Sequence, residues 1–239
     1  MDNQIRVVLL KLIKSKALYI TVLLYTLLGV WSSLGPILYD GMDWTAQYGF
    51  LLFISSRNTL IISAIFAAYM LGKDFSNRTI NNEIRIGYSR LSVILSRAVV
   101  ILPTTAILYF FTLIPCIIIF GVYNGFGFYI AIPVLILRLV LFLIQTISIT
   151  VFSMLFVFWT KKTAAGLIAC LVFNIITDPH TFMFLESSYL FRLTSFYRIY
   201  MNNTELIAFD IIISFISAIF TIACVLFATY VVFRKAELK

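Results

Sequence analysis

Long apolar runs alternate with short polar breaks along almost the whole chain. Six runs stand out, at about 17–38, 49–72, 98–121, 129–158, 163–177 and 206–233. An α-helix rises about 1.5 Å per residue and the hydrocarbon core of a bilayer is about 30 Å thick, so about 20 apolar residues cross it. The pattern predicts an all-α integral membrane protein: a single transmembrane domain, residues 1–239, with six spans. The fourth run, at thirty residues, would reach about 45 Å as a helix. Pro133 and Arg138 place its first part in the outer interface.

Two polar stretches break the pattern. In residues 1–16, Ile5, Val8, Leu9, Leu12 and Ile13 recur near helical spacing, with Arg6, Lys11 and Lys14 mostly off that stripe. This predicts an amphipathic helix lying in the membrane interface, the alternative being a tail whose charges hold the topology. Residues 73–97 form a basic island between two spans. There Asp74 and Ser76 offer N-cap chemistry ahead of Arg78-Thr79-Ile80, and Ile80 and Ile84 stand one turn apart. Gly87 supplies a helix stop, and Ser89 can cap a second helix through Leu91, Ile94 and Leu95 into the third span. The expectation is helix, glycine turn, helix. The plainer alternative is an interfacial loop with topological charges.

Composition agrees with the pattern. Hydrophobic residues make up 62% and charged residues 12%, with a mean hydropathy of +1.04; soluble domains carry about twice that charge. The first run is too long for a signal-peptide core, and no A-x-A-like site follows it. The net charge of +8 does not indicate nucleic acid, because the basic residues flank spans instead of forming one patch. If the N-terminus is cytoplasmic, the inside segments hold fourteen of the eighteen Lys and Arg, and the outside segments only Arg192 and Arg198. The positive-inside rule then puts both termini and the 73–97 island in the cytoplasm. The outside stretch 178–205 is rich in Phe and Tyr, as suits the headgroup layer.

Catalytic and metal-binding signatures are missing. Cys116, Cys170 and Cys224 sit in three different apolar runs without CxxC spacing. The single histidine, His180, follows Asp178-Pro179, a turn sequence. No HExxH and no G-x-x-x-x-G-K-[ST] occurs, so neither a zinc protease nor a phosphate-binding loop is expected. Arg57, Arg138 and Asp210 are charges inside apolar runs, all toward the outer side. They read either as a cluster lining the outer part of a pathway, with Asp210 pairing an arginine, or as side chains snorkelling to outer headgroups.

The island resembles the first cytoplasmic loop of permease subunits of type-2 ABC exporters. That loop runs acidic–aromatic–x–x–Gly or Arg–Thr–hydrophobic, then Gly-x-Ser-Arg, then a basic residue entering the third span. The present chain has Asp74-Phe75-Ser76-Asn77-Arg78-Thr79-Ile80, then Gly87-Tyr88-Ser89-Arg90, then Ser96-Arg97. It departs in having Asp where Glu is commoner, and Glu83-Ile84 where an apolar pair is usual. The six-span plan and the N-terminal interfacial helix are also similar.

The resemblance implies a bacterial cell-membrane permease that works with a second permease subunit, identical or not, and with a separate ABC ATPase. ATP and magnesium would bind that ATPase; no cofactor is expected in this chain. A coupling helix would contact the ATPase through Arg78, Thr79, Asn82, Glu83, Arg85, Gly87, Tyr88, Ser89 and Arg90. Hydrophobic or amphipathic peptides are the leading cargo, as in toxin export or immunity to peptide antibiotics, with drugs or lipids as alternatives. Two other classes stay open: an ion-coupled carrier, for which one intramembrane acid and no clear repeat is little to build on, and a stand-alone membrane immunity protein.

Overall fold

The structure is a computed structural model, and it describes residues 2–39, 57–125, 132–176 and 208–235. These residues form helices α1 (Asp2–Ile13), α2 (Lys16–Tyr39), α3 (Arg57–Ser76), α4 (Thr79–Arg85), α5 (Arg90–Asn124), α6 (Ile132–Thr160), α7 (Thr163–Ile176) and α8 (Ala208–Lys235). Five of them, α2, α3, α5, α6 and α8, are long and apolar enough to cross a membrane. The described residues therefore fold into helices, with no strand among them, and give the chain a membrane-embedded character.

The expected runs differ from the observed helices in informative ways. Run 49–72 is described from Arg57 and stays helical through Ser76, so Lys73, Asp74 and Phe75 belong to α3. The third run is part of a 35-residue helix that begins at Arg90. At about 52 Å it is longer than the hydrocarbon core is thick. α6 is helical from Ile132, with Pro133 in the first turn, where a missing N–H costs nothing. The fifth run forms α7, whose 14 residues reach about 21 Å, short of a full crossing. Residues 177–207, with His180 and the aromatic stretch, lie outside the described residues.

Burial ranks the helices. In the spanning windows of α3 and α6, 67% and 61% of residues are buried, against 22% in α2 and 17% in α8. α3 and α6 are thus central, while α2 and α8 turn most of their surface outward. Their outer faces carry Tyr19, Leu23, Leu27 and Trp31, and Ile212, Ile216, Phe220 and Phe227, at helical spacing. Such continuous apolar faces suit lipid, not water.

Small residues and hydroxyls set the close contacts, as is usual between membrane helices. A Cβ on Gly29 of α2 would lie 2.5 Å from the Thr112 carbonyl oxygen of α5, so only glycine permits that crossing. The Tyr25 hydroxyl donates to the Thr59 carbonyl at 2.8 Å and lies 2.5 Å from Ser63 Oγ, joining α2 to α3. Ser153 Oγ of α6 donates to the Ala64 carbonyl of α3 at 2.9 Å.

One end of the bundle gathers the basic segments. Lys11 of α1 bonds to Asp74 at the end of α3. Gly72 abuts Thr163, which opens α7 just after Lys161 and Lys162. Arg90, the first residue of α5, donates to carbonyls at the end of α8, beside Arg234 and Lys235. The segments grouped on one side by the charge count therefore meet at one end in space. At this basic end Phe75, Phe158 and Phe233 pack edge to face, with ring centroids 5.1 to 6.2 Å apart.

Candidate functional site: the hairpin at the basic end

The turn from α3 into α4 is made by Asn77 and Arg78. Arg78 takes a left-handed backbone, φ 54°, at the N-cap of α4. For a residue with a Cβ this conformation costs on the order of 1 kcal/mol. The expected side-chain cap from Asp74 or Ser76 is absent. Asp74 is one turn too early: it lies inside α3 and its carboxylate is held by Lys11 and Arg97.

α4 ends as its sequence predicts. The Tyr88 N–H reaches back to the Glu83 carbonyl at 3.2 Å and the Gly87 N–H to the Ile84 carbonyl at 3.1 Å. This is the paired Schellman closure, and it places Gly87 at φ 103°, a conformation that favours glycine. Ser89 then caps α5, its side-chain oxygen accepting from the Ser92 N–H at 3.1 Å. The result is a tight helical hairpin of α4 and the first turns of α5.

The inner face of the hairpin is a charge cluster. Arg97 is fully buried and faces Glu83 with both terminal nitrogens: Nη2 to Oε1 at 2.7 Å and Nη1 to Oε2 at 2.5 Å. Its Nε lies 3.4 Å from Asp74 Oδ2, and the other carboxylate oxygen of Asp74 accepts from Lys11. Lys11 also donates to Thr79 Oγ1 at 3.3 Å. Gln4 of α1 donates to Glu83 at 3.4 Å and accepts from Ser92 Oγ at 2.5 Å. Two acids thus meet two bases in a formally neutral group spanning α1, α3, α4 and α5, buried except at Lys11, which is half-buried. Below it, Val8 and Leu12 of α1 share one apolar cluster with Phe75, Ile80, Val93 and Ile94.

The outer face is different in kind. Arg78, Asn82, Arg85, Ile86, Gly87, Tyr88 and Ser89 are exposed. Ile86, at the tip, has 77% of its surface open. No exposed acid accompanies these residues between 73 and 97, where both acids face inward. An apolar tip between exposed arginines can enter an apolar socket with an acidic rim.

The expected contact residues therefore divide. Arg78, Asn82, Arg85, Gly87, Tyr88 and Ser89 lie on the outer face, and Thr79 is half-buried against Lys11. Glu83 and Arg90 have partners within the chain. Arg90 Nη1 donates to the carbonyls of Phe233 and Arg234, at 2.5 and 2.7 Å, and its guanidinium stands 5.6 Å from the Phe233 ring centre. It tethers the C-terminal end of α8 to the hairpin. Arg57, Arg138 and Asp210 belong to α3, α6 and α8; their side chains, and any pairing among them, lie outside what the structure describes.

Gln4, Lys11, Asp74, Ser92 and Arg97 were not singled out as site residues by sequence reasoning. One signal was available. Ile80, Glu83 and Ile84 share one helical face by their spacing, so a helix that buries Ile80 carries Glu83 with it. A buried carboxylate needs a cation within reach.

Neither a family model nor a curated protein matches this chain.

Proposed function

We propose that this chain is the membrane-spanning subunit of an ATP-driven exporter, energised by a separate ATPase that docks on the α4–α5 hairpin. The observation that carries the reading is the division of that hairpin. Its inner face is locked by the fork between Glu83 and Arg97. Its outer face presents Ile86 and the arginines at 78 and 85, which no described residue covers. A rigid element with an open, charged and apolar tip suits the receipt of force from a soluble protein. The similarity of residues 74–80, 87–90 and 96–97 to the loops of type-2 ABC permeases supports the same role.

In this reading both termini and the hairpin are cytoplasmic, and a second permease subunit completes the pathway. ATP binding closes the ATPase pair and displaces the hairpins, shifting the helix bundle toward an outward-open packing. The cargo is a hydrophobic or amphipathic peptide, recognised by apolar burial more than by fixed hydrogen bonds. Affinity capture of the full-length chain from its native membrane, in mild detergent, tests the reading. An ABC ATPase should be recovered with it, and its hydrolysis should rise with an amphipathic peptide. Recovery of the chain without an ATPase, with transport that follows an ion gradient or with toxin binding alone, would replace the reading with one of its rivals.

A further inference from the structure

α1 has no part in the docking role proposed above, yet it is bound to the hairpin more closely than a membrane anchor requires. Two of its side chains meet the cluster or its surroundings: Lys11 at Asp74 and Thr79, and Gln4 at both Glu83 and Ser92. Val8 and Leu12 enter the same apolar cluster as Ile80 of α4. Buried residues therefore recur every four positions, at 4, 8 and 12, and make one continuous stripe against the hairpin.

We infer that the cluster of Lys11, Asp74, Glu83 and Arg97 is a rigid joint that makes α1, the hairpin and the first turns of α5 a single moving body, with Lys11 as the pin for α1. The chemistry favours a joint that holds one position. A guanidinium presents its donors in a fixed plane, and Arg97 spends both terminal nitrogens on one carboxylate. Arg97 has no exposed surface and the side chains of Asp74 and Glu83 are 8% and 15% exposed, so water cannot readily replace a partner at these three; Lys11, 32% exposed, is the one member that water reaches. Sliding α1 past α4 would strand buried charges, and breaking a buried pair is strongly unfavourable.

The moving body then has two outer sides. One is the hairpin tip around Ile86. The other is the far face of α1, where Val7, Leu9, Leu10 and Ile13 are exposed beside Arg6 and Lys14. An apolar face edged with basic residues suits the surface of a bilayer. Displacement of the hairpin would therefore drag α1 along the membrane surface, making α1 a lever of the coupling device.

The inference rests on the docking role of the hairpin, and the test separates the two. Spin labels are placed on Ile13→Cys and Arg85→Cys in full-length chain lacking its native cysteines, in lipid nanodiscs. Both positions are exposed and neither touches the cluster. The isolated chain should give one narrow distance distribution, and Lys11→Met should broaden it. A broad distribution in the parent chain, or an unchanged width in Lys11→Met, overturns the joint whatever the partner is. If Lys11→Met does not fold, Gln4→Leu serves instead, since it removes the bonds of α1 to Glu83 and Ser92. With the ATPase present, Arg85 stays native because it faces the docking side, and the second label moves to Leu91→Cys in the first turns of α5, 46% exposed; the Ile13–Leu91 distance should be equal in nucleotide-free and ATP-trapped states, while Leu91 moves relative to a label at Ile136→Cys on α6. Lys11→Met should lower peptide-stimulated hydrolysis about tenfold, within the range of couplings between sites. A changing Ile13–Leu91 distance overturns the inference; failure to find any ATPase overturns the docking role but leaves the first measurement decisive.

Discussion

Glu83 and Arg97, fourteen residues apart, face each other through two parallel hydrogen bonds of 2.7 and 2.5 Å. The carboxylate comes from the short helix α4 and the guanidinium from the first turns of a long membrane helix. The pair fixes how the hairpin stands on the bundle, and Asp74, Lys11 and Gln4 extend the same arrangement to α3 and α1.

Removing one partner should be costly. Glu83→Gln leaves a fully buried arginine with Asp74 as its acidic neighbour among the described residues, beside the neutral Ser96 Oγ and Val93 carbonyl, and loss of one member of a buried pair costs about 3–5 kcal/mol. Thermal unfolding of the detergent-solubilised chain should show that loss, and the double change Glu83→Gln with Arg97→Gln should be less harmful than the two single effects added. Strict additivity in this double-mutant cycle would mean that the two groups do not act as a pair.

Gly87 tests the turn alone. Nothing lies within 4 Å of the place a Cβ would occupy, so a side chain there meets no neighbour. The penalty comes from φ 103°, and for Ala it should be about 1–2 kcal/mol. Gly87→Val should cost more than Gly87→Ala, and both should insert in the membrane at normal levels. Equal stability of all three chains, measured by thermal unfolding, would show that the turn tolerates a side chain.

The outer face should separate stability from activity. Arg85→Glu and Ile86→Asp alter exposed residues and should change folding by less than about 0.5 kcal/mol. Peptide-stimulated ATP hydrolysis by the assembled transporter should nevertheless fall about tenfold, a coupling of about 1.4 kcal/mol. Hydrolysis by the free ATPase should not change. Normal transport by both variants would move the docking surface elsewhere.

Gln145 carries a prediction of the opposite sign. It lies inside α6 with 1% of its surface exposed, and neither its side-chain oxygen nor its nitrogen has a hydrogen-bond partner. The hydroxyls of Thr146 and Thr150 on the same helix each donate to a carbonyl one turn back. An unpaired amide in an apolar setting costs about 1–3 kcal/mol, so Gln145→Leu should raise the unfolding temperature. A lower one would show that the amide is satisfied in the membrane.

Topology can be read by labelling. Asn77 is exposed at the basic end. In a chain without its native cysteines, Asn77→Cys should react with a membrane-impermeant maleimide only after the cells are opened. Reaction in intact cells would invert the orientation.

Several features were legible without coordinates. Helical membrane character followed from the length of the apolar runs, because a backbone in hydrocarbon must satisfy its own hydrogen bonds and a helix does so locally. The hairpin ends were equally readable: Gly87 and Ser89 act through bonds to residues three to five positions away, which spacing reveals. The count of six spans was less so: run 163–177, expected as the fifth span, forms α7, whose 14 described residues fall short of a crossing, and five spanning helices stand among the described residues.

What only the tertiary structure decided concerns partners remote in sequence. Arg90 reads as one more exposed basic residue until α8 brings the carbonyls of Phe233 and Arg234 to it from more than 140 positions away. Asp74 reads as a helix cap until α1 and α5 supply Lys11 and Arg97. Apolar patterning needs only the chain and its solvent, so the sequence alone carries it. Where a charge points depends on which helices pack around it, and a buried charge settles on whichever opposite charge that packing brings within reach.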